Sequence, residues 1–353
     1  MKKSCFVCFT SSNSVISDTF KEVYNEISNN NNVYFYASNQ SLPEKINDNT
    51  YNFSYGKQKR SIFKILKLIF YFRKFVIKNK IDSIFLFSTL PINFLLSYII
   101  PNRVNVTYYL HDPLPHSGEG IFFRFTKKLN DYFLSKKVQR IFISSEYIKK
   151  DLKKTPFKEI DSRVITLPLV ESLVSLRNLE SKEPSIIFFG RIEKYKGLSW
   201  FFDSLLEFGS EINQRQIPIY IIGKGNLPKN IDNLISKGFN IHIFNFFISN
   251  DELANLINKS KIAVFPYRDA TGTSAIQTVG AMGLWPIVSN VGGLIQSTIL
   301  NYSSVISKED KLEFISEIIR VINLDLNISE ISNEYIKYYR VEKFSNEILE
   351  NLI

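Results

Sequence analysis

The chain has 353 residues, 44% of them hydrophobic, and its 44 basic and 34 acidic side chains give a formal charge of +10. That length predicts two domains, each large enough to bury its own core, and the apolar content excludes a disordered chain. A basic balance favours an anionic partner, whether nucleic acid, membrane or phosphorylated substrate, and does not choose among them.

In chain order, the predicted elements alternate. Strands are expected at 5–9, 33–37, 84–87, 104–110, 140–144 and 164–167, with helices at 17–27, 61–79, 122–134 and 145–154 between them. Residues 170–184 are polar and weakly patterned, and read as a linker. The alternation then restarts, with strands at 186–189, 217–222, 241–244, 262–266 and 286–289. Helices are expected at 198–208, 231–236, 251–260, 274–282 and 308–322, and over much of 329–352. Such alternation predicts α/β architecture with parallel, doubly wound sheets, whose ligands bind at the carboxyl ends of strands.

Cys5 and Cys8 form a Cys-x-x-Cys pair, a spacing shared by redox motifs and half zinc sites. They lie in an apolar strand, with no second pair and only three histidines in the chain, so they read as small core residues in a reducing compartment. The basic Met1-Lys2-Lys3 start is followed by too short an apolar run for a signal peptide. Residues 83–101 approach the length of a membrane span, but Pro91 and Asn93 interrupt them, and a strand followed by a Pro-initiated helix accounts for the same residues.

Four segments of the second half carry chemistry. Phe189-Gly190-Arg191-Ile192-Glu193-Lys194-Tyr195-Lys196-Gly197 ends a strand with a glycine and places two cations on the loop beyond it, which suits a diphosphate. Ile222-Gly223-Lys224-Gly225 is a strand running into a glycine turn. Pro266-Tyr267-Arg268-Asp269-Ala270-Thr271-Gly272-Thr273-Ser274 leads from a strand into a helix whose first amides would face an anion, although Thr273 and Ser274 are equally ordinary helix caps. Val291-Gly292-Gly293-Leu294 follows the next strand and would close the pocket.

This ordered series resembles the carboxyl-terminal domain of the family-4 sugar-nucleotide glycosyltransferases over about 115 residues, 185–299. The first half matches more weakly, through Tyr109-Leu110-His111-Asp112 and Ile143-Ser144-Ser145-Glu146. The resemblance implies a GT-B fold, with two Rossmann-like doubly wound domains facing a central cleft. The expected division is an acceptor domain over 1–170, a donor domain over 171–335, and a final helix over 336–353 packing back on the first domain. The resemblance further implies that Arg191 and Lys196 bind the donor diphosphate and that Asp269 lies near the transferred sugar. Gln277 stands where the family's second glutamate holds the ribose, and it offers a neutral oxygen in place of a carboxylate. Gly190, Gly225, Thr273, Ser274 and Gly292 complete the expected donor site. His111 matches the family's cleft histidine and, with Asp269, Arg191 and Lys196, forms the expected catalytic set. His116 and Glu119 are further candidates for acceptor or sugar contact.

The family retains anomeric configuration. There is no Asp-x-Asp metal motif, so transfer is expected without metal or other cofactor, with the leaving diphosphate held by Arg, Lys and helix amides. The expected partners are a nucleotide-diphosphate sugar, most simply a hexose donor, and a glycan or lipid-linked saccharide acceptor in cell-surface polysaccharide synthesis. The segment from Lys57 to Lys80 contains no acid, and its helix puts Ile62, Ile65, Leu66, Ile69, Phe72 and Val76 on one face and Arg60, Lys64, Lys67, Lys74 and Lys78 on another. That pattern fits packing on the chain's own sheet, an anionic membrane surface, or both. A cytoplasmic protein peripheral to the inner membrane face follows. Two other readings share the fold: a nucleotide-sugar 2-epimerase, and a non-catalytic nucleotide-sugar-binding subunit, which Asp269 and Gln277 favour. A nucleic-acid binder fits the charge, but no recognition module is present.

Overall fold

The computed structural model describes residues 2–9, 15–54, 62–87, 93–114 and 121–352. The chain divides into two compact units, one of residues 1–166 with 341–353 and the other of residues 167–340.

The first unit is built on β1 (Ser4–Cys8), α1 (Val15–Ile27), β2 (Val33–Ser38), β3 (Thr50–Phe53), α2 (Ile62–Lys78), β4 (Ser83–Leu86), α3 (Asn93–Ile99), β5 (Asn105–Leu110), α4 (Ile121–Ser135), β6 (Arg140–Ile143), α5 (Glu146–Leu152) and β7 (Asp161–Val164). Its strands form one parallel sheet in the order β3-β2-β1-β4-β5-β6-β7. Alternate residues of a strand face opposite sides of a sheet, and both sides are covered here. Cys5, Val7 and Phe9 join a core with Phe72 and Val76 of α2, and Phe6 packs instead on Phe35 and Phe85. Each fully buried side chain of this kind contributes roughly 1.5–3 kcal/mol. Cys5 and Cys8 are buried thiols that form no disulfide with each other. Their odd spacing turns them to opposite sides of β1, and burial pushes the Cys5 thiol pKa up, so both behave as core residues. The stretch at 83–101 divides into β4 and α3 with 88–92 outside the described residues, and among the described residues no helix is long and apolar enough to cross a membrane.

The second unit runs through α6 (Glu171–Val174), β8 (Glu183–Phe189), α7 (Leu198–Phe208), α8 (Ser210–Gln214), β9 (Ile219–Ile222), α9 (Ile231–Ser236), β10 (Ile241–Phe244), α10 (Asn250–Lys259), β11 (Ser260–Phe265), α11 (Ala275–Ala281), β12 (Trp285–Ser289), β13 (Ser304–Ile306), α12 (Lys311–Ile322) and α13 (Ile328–Tyr339). The last helix, α14 (Val341–Asn351), belongs to the first unit, where it packs on α1. The second sheet is also parallel, in the order β10-β9-β8-β11-β12-β13. Ser249 caps α10 in a reciprocal box with Glu252: its hydroxyl accepts from the Glu252 amide at 3.2 Å, and its own amide donates to the Glu252 carboxylate at 2.9 Å.

Four sequence readings need correction. The segment 170–184 is no linker: α6 lies within it, and Leu173 and Val174 are buried in the second core beside Leu169. Two apolar residues in a four-residue helix are too few to show a period. The strand expected at 164–167 is β7 at Asp161–Val164, a sheet edge of alternating half-exposed residues. The apolar signal came instead from Ile165 and Leu167, buried just beyond it. The strands β3 and β13 were missed, one a partly exposed edge strand and the other three residues long.

Candidate functional site

In a doubly wound sheet the crevice opens where strand order reverses, outside the carboxyl ends of the strands on either side. In the second unit that point lies between β8 and β11, since β9 and β10 lie on one side of β8, and β11, β12 and β13 on the other. The two loops leaving these strands are the Gly190–Gly197 and Pro266–Ser274 segments. Topology therefore brings together what the sequence motifs singled out separately.

Backbone contacts stitch the loops into one surface. The Arg268 amide donates to the Tyr195 carbonyl at 2.7 Å, joining the β8 loop to the β11 loop. The Ile192 amide donates to the Lys224 carbonyl at 3.0 Å, and Ile192 forms a parallel bridge with Gly225, joining the β8 loop to the β9 turn. The Gly293 amide donates to the Ala270 carbonyl at 3.0 Å, joining the β12 turn to the β11 loop. Two glycines are required by this stitching. Gly292 has φ +52°, and a Cβ there would stand 1.7 Å from the Ala270 carbonyl oxygen. Gly190 has φ +110°, and a Cβ would stand 2.8 Å from Lys196 Nζ, so the missing side chain is what admits the ammonium.

Lys196 lies over the ring of Tyr267, its Nζ 5.1 Å from the centroid. Burial pushes the ammonium pKa down; Tyr195 and Glu193 oppose the shift, and Arg191 reinforces it. Arg191 is exposed. Among the described residues neither cation makes an ion pair. Arg268 is different: its guanidinium is engaged by both carboxylate oxygens of Glu309 at 2.9 Å and stacks 5.2 Å from the Trp200 ring. The crevice therefore keeps two uncompensated cations, one of them desolvated, beside a third that is already neutralised. Two like charges held close together, one of them partly desolvated, are unfavourable until an anion arrives, and an anion there gains from both.

The other expected donor residues divide. Asp269 is exposed on the β11 loop and carries no ion pair among the described residues. The Thr273 hydroxyl accepts from the Ala275 amide at 3.1 Å, and Ser274 is buried with its carbonyl accepting from the Thr278 hydroxyl at 2.7 Å; both act within the start of α11. The Gly225 amide donates to Asn245 Oδ1 at 3.0 Å. Gln277 is fully buried; its Nε2 donates to the Leu167 carbonyl at 3.2 Å and to the Ser297 hydroxyl at 3.0 Å. The carbonyl partner fixes the amide's orientation and leaves Oε1 buried with no partner. Tyr267, Asn245 and Ser297 were not given roles from the sequence. Tyr267 stood inside a quoted motif, where it follows Phe265 by two residues and so shares its face; nothing in the sequence marked the other two.

In the first unit, His111 directly follows β5, where Tyr109 and Phe87 meet its ring with centroids 4.6 and 6.3 Å away. Its Nε2 is buried without a hydrogen-bond partner, and burial lowers the imidazole pKa to about 4 against the pull of Asp112. The ring is therefore neutral at physiological pH. His116 and Glu119 lie outside the described residues. Among the described residues no three His, Cys, Asp or Glu side chains are grouped to hold a metal.

Residues 183–323 match the family model of glycosyl transferases group 1. The second unit is a group 1 glycosyltransferase domain. The whole chain, with its two parallel-sheet units, has the GT-B fold. Similar solved structures include Anabaena HepE in complex with UDP, at 12% identity over 99% of this chain and 98% of that one, with a TM-score of 0.70. A glycosyltransferase from Rickettsia africae is 15% identical over 99% and 97%, with a TM-score of 0.68. The lipopolysaccharide outer core galactosyltransferase WaaB, in its apo form, is 13% identical over the full length of both chains, also with a TM-score of 0.68. At such identities the likeness speaks for the fold. No curated protein sequence matches the chain.

Proposed function

We propose that this glycosyltransferase takes its sugar from a nucleotide-diphosphate donor and transfers it, with retention and without metal, to a saccharide acceptor, lipid-linked and at a membrane face. The observation that carries the donor reading is the half-buried Lys196 beside the exposed Arg191 at the switch point of the second sheet, neither of them in an ion pair among the described residues. A diphosphate gives that pair its missing counter-charge, and charge grows on the same oxygens as the glycosidic bond breaks. The anomeric carbon exchanges its bond to the diphosphate oxygen for one to the acceptor oxygen. The acceptor proton passes to the departing diphosphate on the same face of the sugar. In this reading Asp269 contacts the transferred sugar and Gln277 Oε1 accepts from a ribose hydroxyl, while the neutral His111 is a separate candidate in the first unit. UDP bound to Anabaena HepE makes uridine diphosphate the first donor base to try.

The test supplies nucleotide sugars with lipid-linked saccharides, with and without a chelator, and follows anomeric configuration by NMR. Retained product in chelator supports the proposal. Inverted product or restoration only by a divalent cation overturns the mechanism. Conversion of donor without acceptor would show the 2-epimerase, and donor binding without turnover the binding subunit.

A further inference from the structure

The first unit carries 27 basic and 16 acidic residues, a net +11, against 17 and 18 in the second, a net −1. The excess is concentrated on three neighbouring helices. Successive right-handed crossovers into β4, β5 and β6 put α2, α3 and α4 on one side of the first sheet. There α2 packs on α3 and α3 on α4. Arg73 donates to the Ile99 carbonyl at 2.6 Å, and the Tyr98 and Phe133 rings lie 5.5 Å apart.

On α2, Ile69, Phe72 and Val76 are buried against the sheet, while Lys67, Phe70, Tyr71, Lys74, Ile77 and Lys78 are exposed within an arc of roughly 120°. On α4, Arg124, Phe125, Lys128, Leu129 and Tyr132 are all exposed and fall within a similar arc of about 140°, and the exposed Lys136 lies in the turn just beyond the helix. Tyr98 of α3, 64% exposed, lies between. The three helices contain one acid, Asp131, which is buried and paired with Lys127 at 2.7 Å. The outward surface is therefore wholly cationic and studded with large apolar side chains, Phe125 64% and Phe70 56% exposed.

We infer that this α2–α3–α4 face docks the enzyme on an anionic lipid bilayer. The inference rests on the membrane part of the reading above and not on its donor part. It also widens the basic helix seen in the sequence into a face three helices broad. Cations alone fit any polyanion, but the interleaved Phe, Tyr, Ile and Leu side chains match the headgroup–acyl boundary. A nucleic acid is the poorer occupant. Bases stack on open ring faces, and here Lys74 covers Phe70 at 4.6 Å, Lys136 covers Tyr132 at 4.2 Å and Lys67 covers Tyr71 at 5.8 Å.

The experiment uses full-length protein, with no donor or acceptor, and sedimentation with vesicles of phosphatidylcholine alone or mixed with phosphatidylglycerol. The expected result is binding to the mixed vesicles only, reduced by salt and weakened about a hundred-fold or more by combined Lys74→Glu, Lys128→Glu and Lys136→Glu. The control reversals Lys237→Glu and Lys259→Glu in the second unit leave it unchanged. Both native tryptophans, Trp200 and Trp285, lie in the second unit, so Phe125→Trp adds a local reporter. Its emission shifts to the blue on mixed vesicles. Equal binding to both vesicle types, an unshifted Trp emission, or binding to oligonucleotides in preference to vesicles overturns the inference. Because no sugar donor is present, failure here leaves the donor site untouched, and failure of the donor site leaves this result standing.

Discussion

The two units use positive charge in opposite ways. The first spreads a surplus of eleven over exposed helix faces, while the second has a net charge near zero and holds two uncompensated cations at one crevice. Exposed lysines are cheap, screened and collectively useful against a broad anionic surface. A desolvated lysine beside an arginine is costly by itself and waits for a particular ligand. Net charge thus registers the exposed helix faces of the first unit, and is silent about the two cations of the second unit's crevice.

The sharpest way to break this comparison is to remove the costly pair. The double variant Arg191→Ala, Lys196→Ala should lower transfer about a thousand-fold or more, roughly 4 kcal/mol of transition-state stabilisation, measured as kcat/KM. Lys196→Met should lose donor binding too, yet melt no lower than the parent. The sign follows from the depressed ammonium pKa: between the folded and unfolded values the unfolded chain binds more protons, so charging Lys196 costs folded-state stability at neutral pH. Gly292→Val comes next. Its side chain meets the Ala270 carbonyl, and φ +52° disfavours a β-branched residue, so a loss of about 3 kcal/mol or more in denaturant unfolding is expected.

Gln277→Glu tests whether the family's glutamate is simply interchangeable here. A carboxylate in place of Nε2 would face the Leu167 carbonyl with no donor, in full burial. We expect a loss of about 2–3 kcal/mol at neutral pH, shrinking as pH falls, because the buried acid's raised pKa lets protonation restore a donor. An effect of similar size, confined to acid pH, is that of His111. Its folded pKa of about 4 lies below the ordinary 6.5, so its contribution is complete above that ordinary value and is lost as pH falls towards 4. The loss amounts to about 2–3 kcal/mol in the melting profile, and His111→Gln should flatten it.

Much of this was legible in the sequence. Strands buried on both sides, such as β1 and β8, show as continuous apolar runs, and the loops after β8 and β11 announced themselves through glycine and charge. The edge strands β3 and β7 did not, because half-exposed residues such as Thr50, Tyr51 and Asp161 have no such run to show. For the site, the sequence named Arg191 and Lys196, but only the strand order shows that their loop and the Asp269 loop flank one crevice. It also could not tell that Arg268 is already paired with Glu309, that the Gly225 amide is taken by Asn245, or that Thr273 is occupied within its own turn. The first two are decided by partners distant in sequence.

The most direct test of the donor site is thermal stabilisation by uridine, guanosine and adenosine diphosphates, measured without metal on the parent and on the Arg191→Ala, Lys196→Ala double variant. A ligand that binds only the folded state must raise its melting temperature. The account predicts that one diphosphate stabilises the parent and leaves the folded double variant unmoved. Equal stabilisation of both proteins, or of neither, would contradict it.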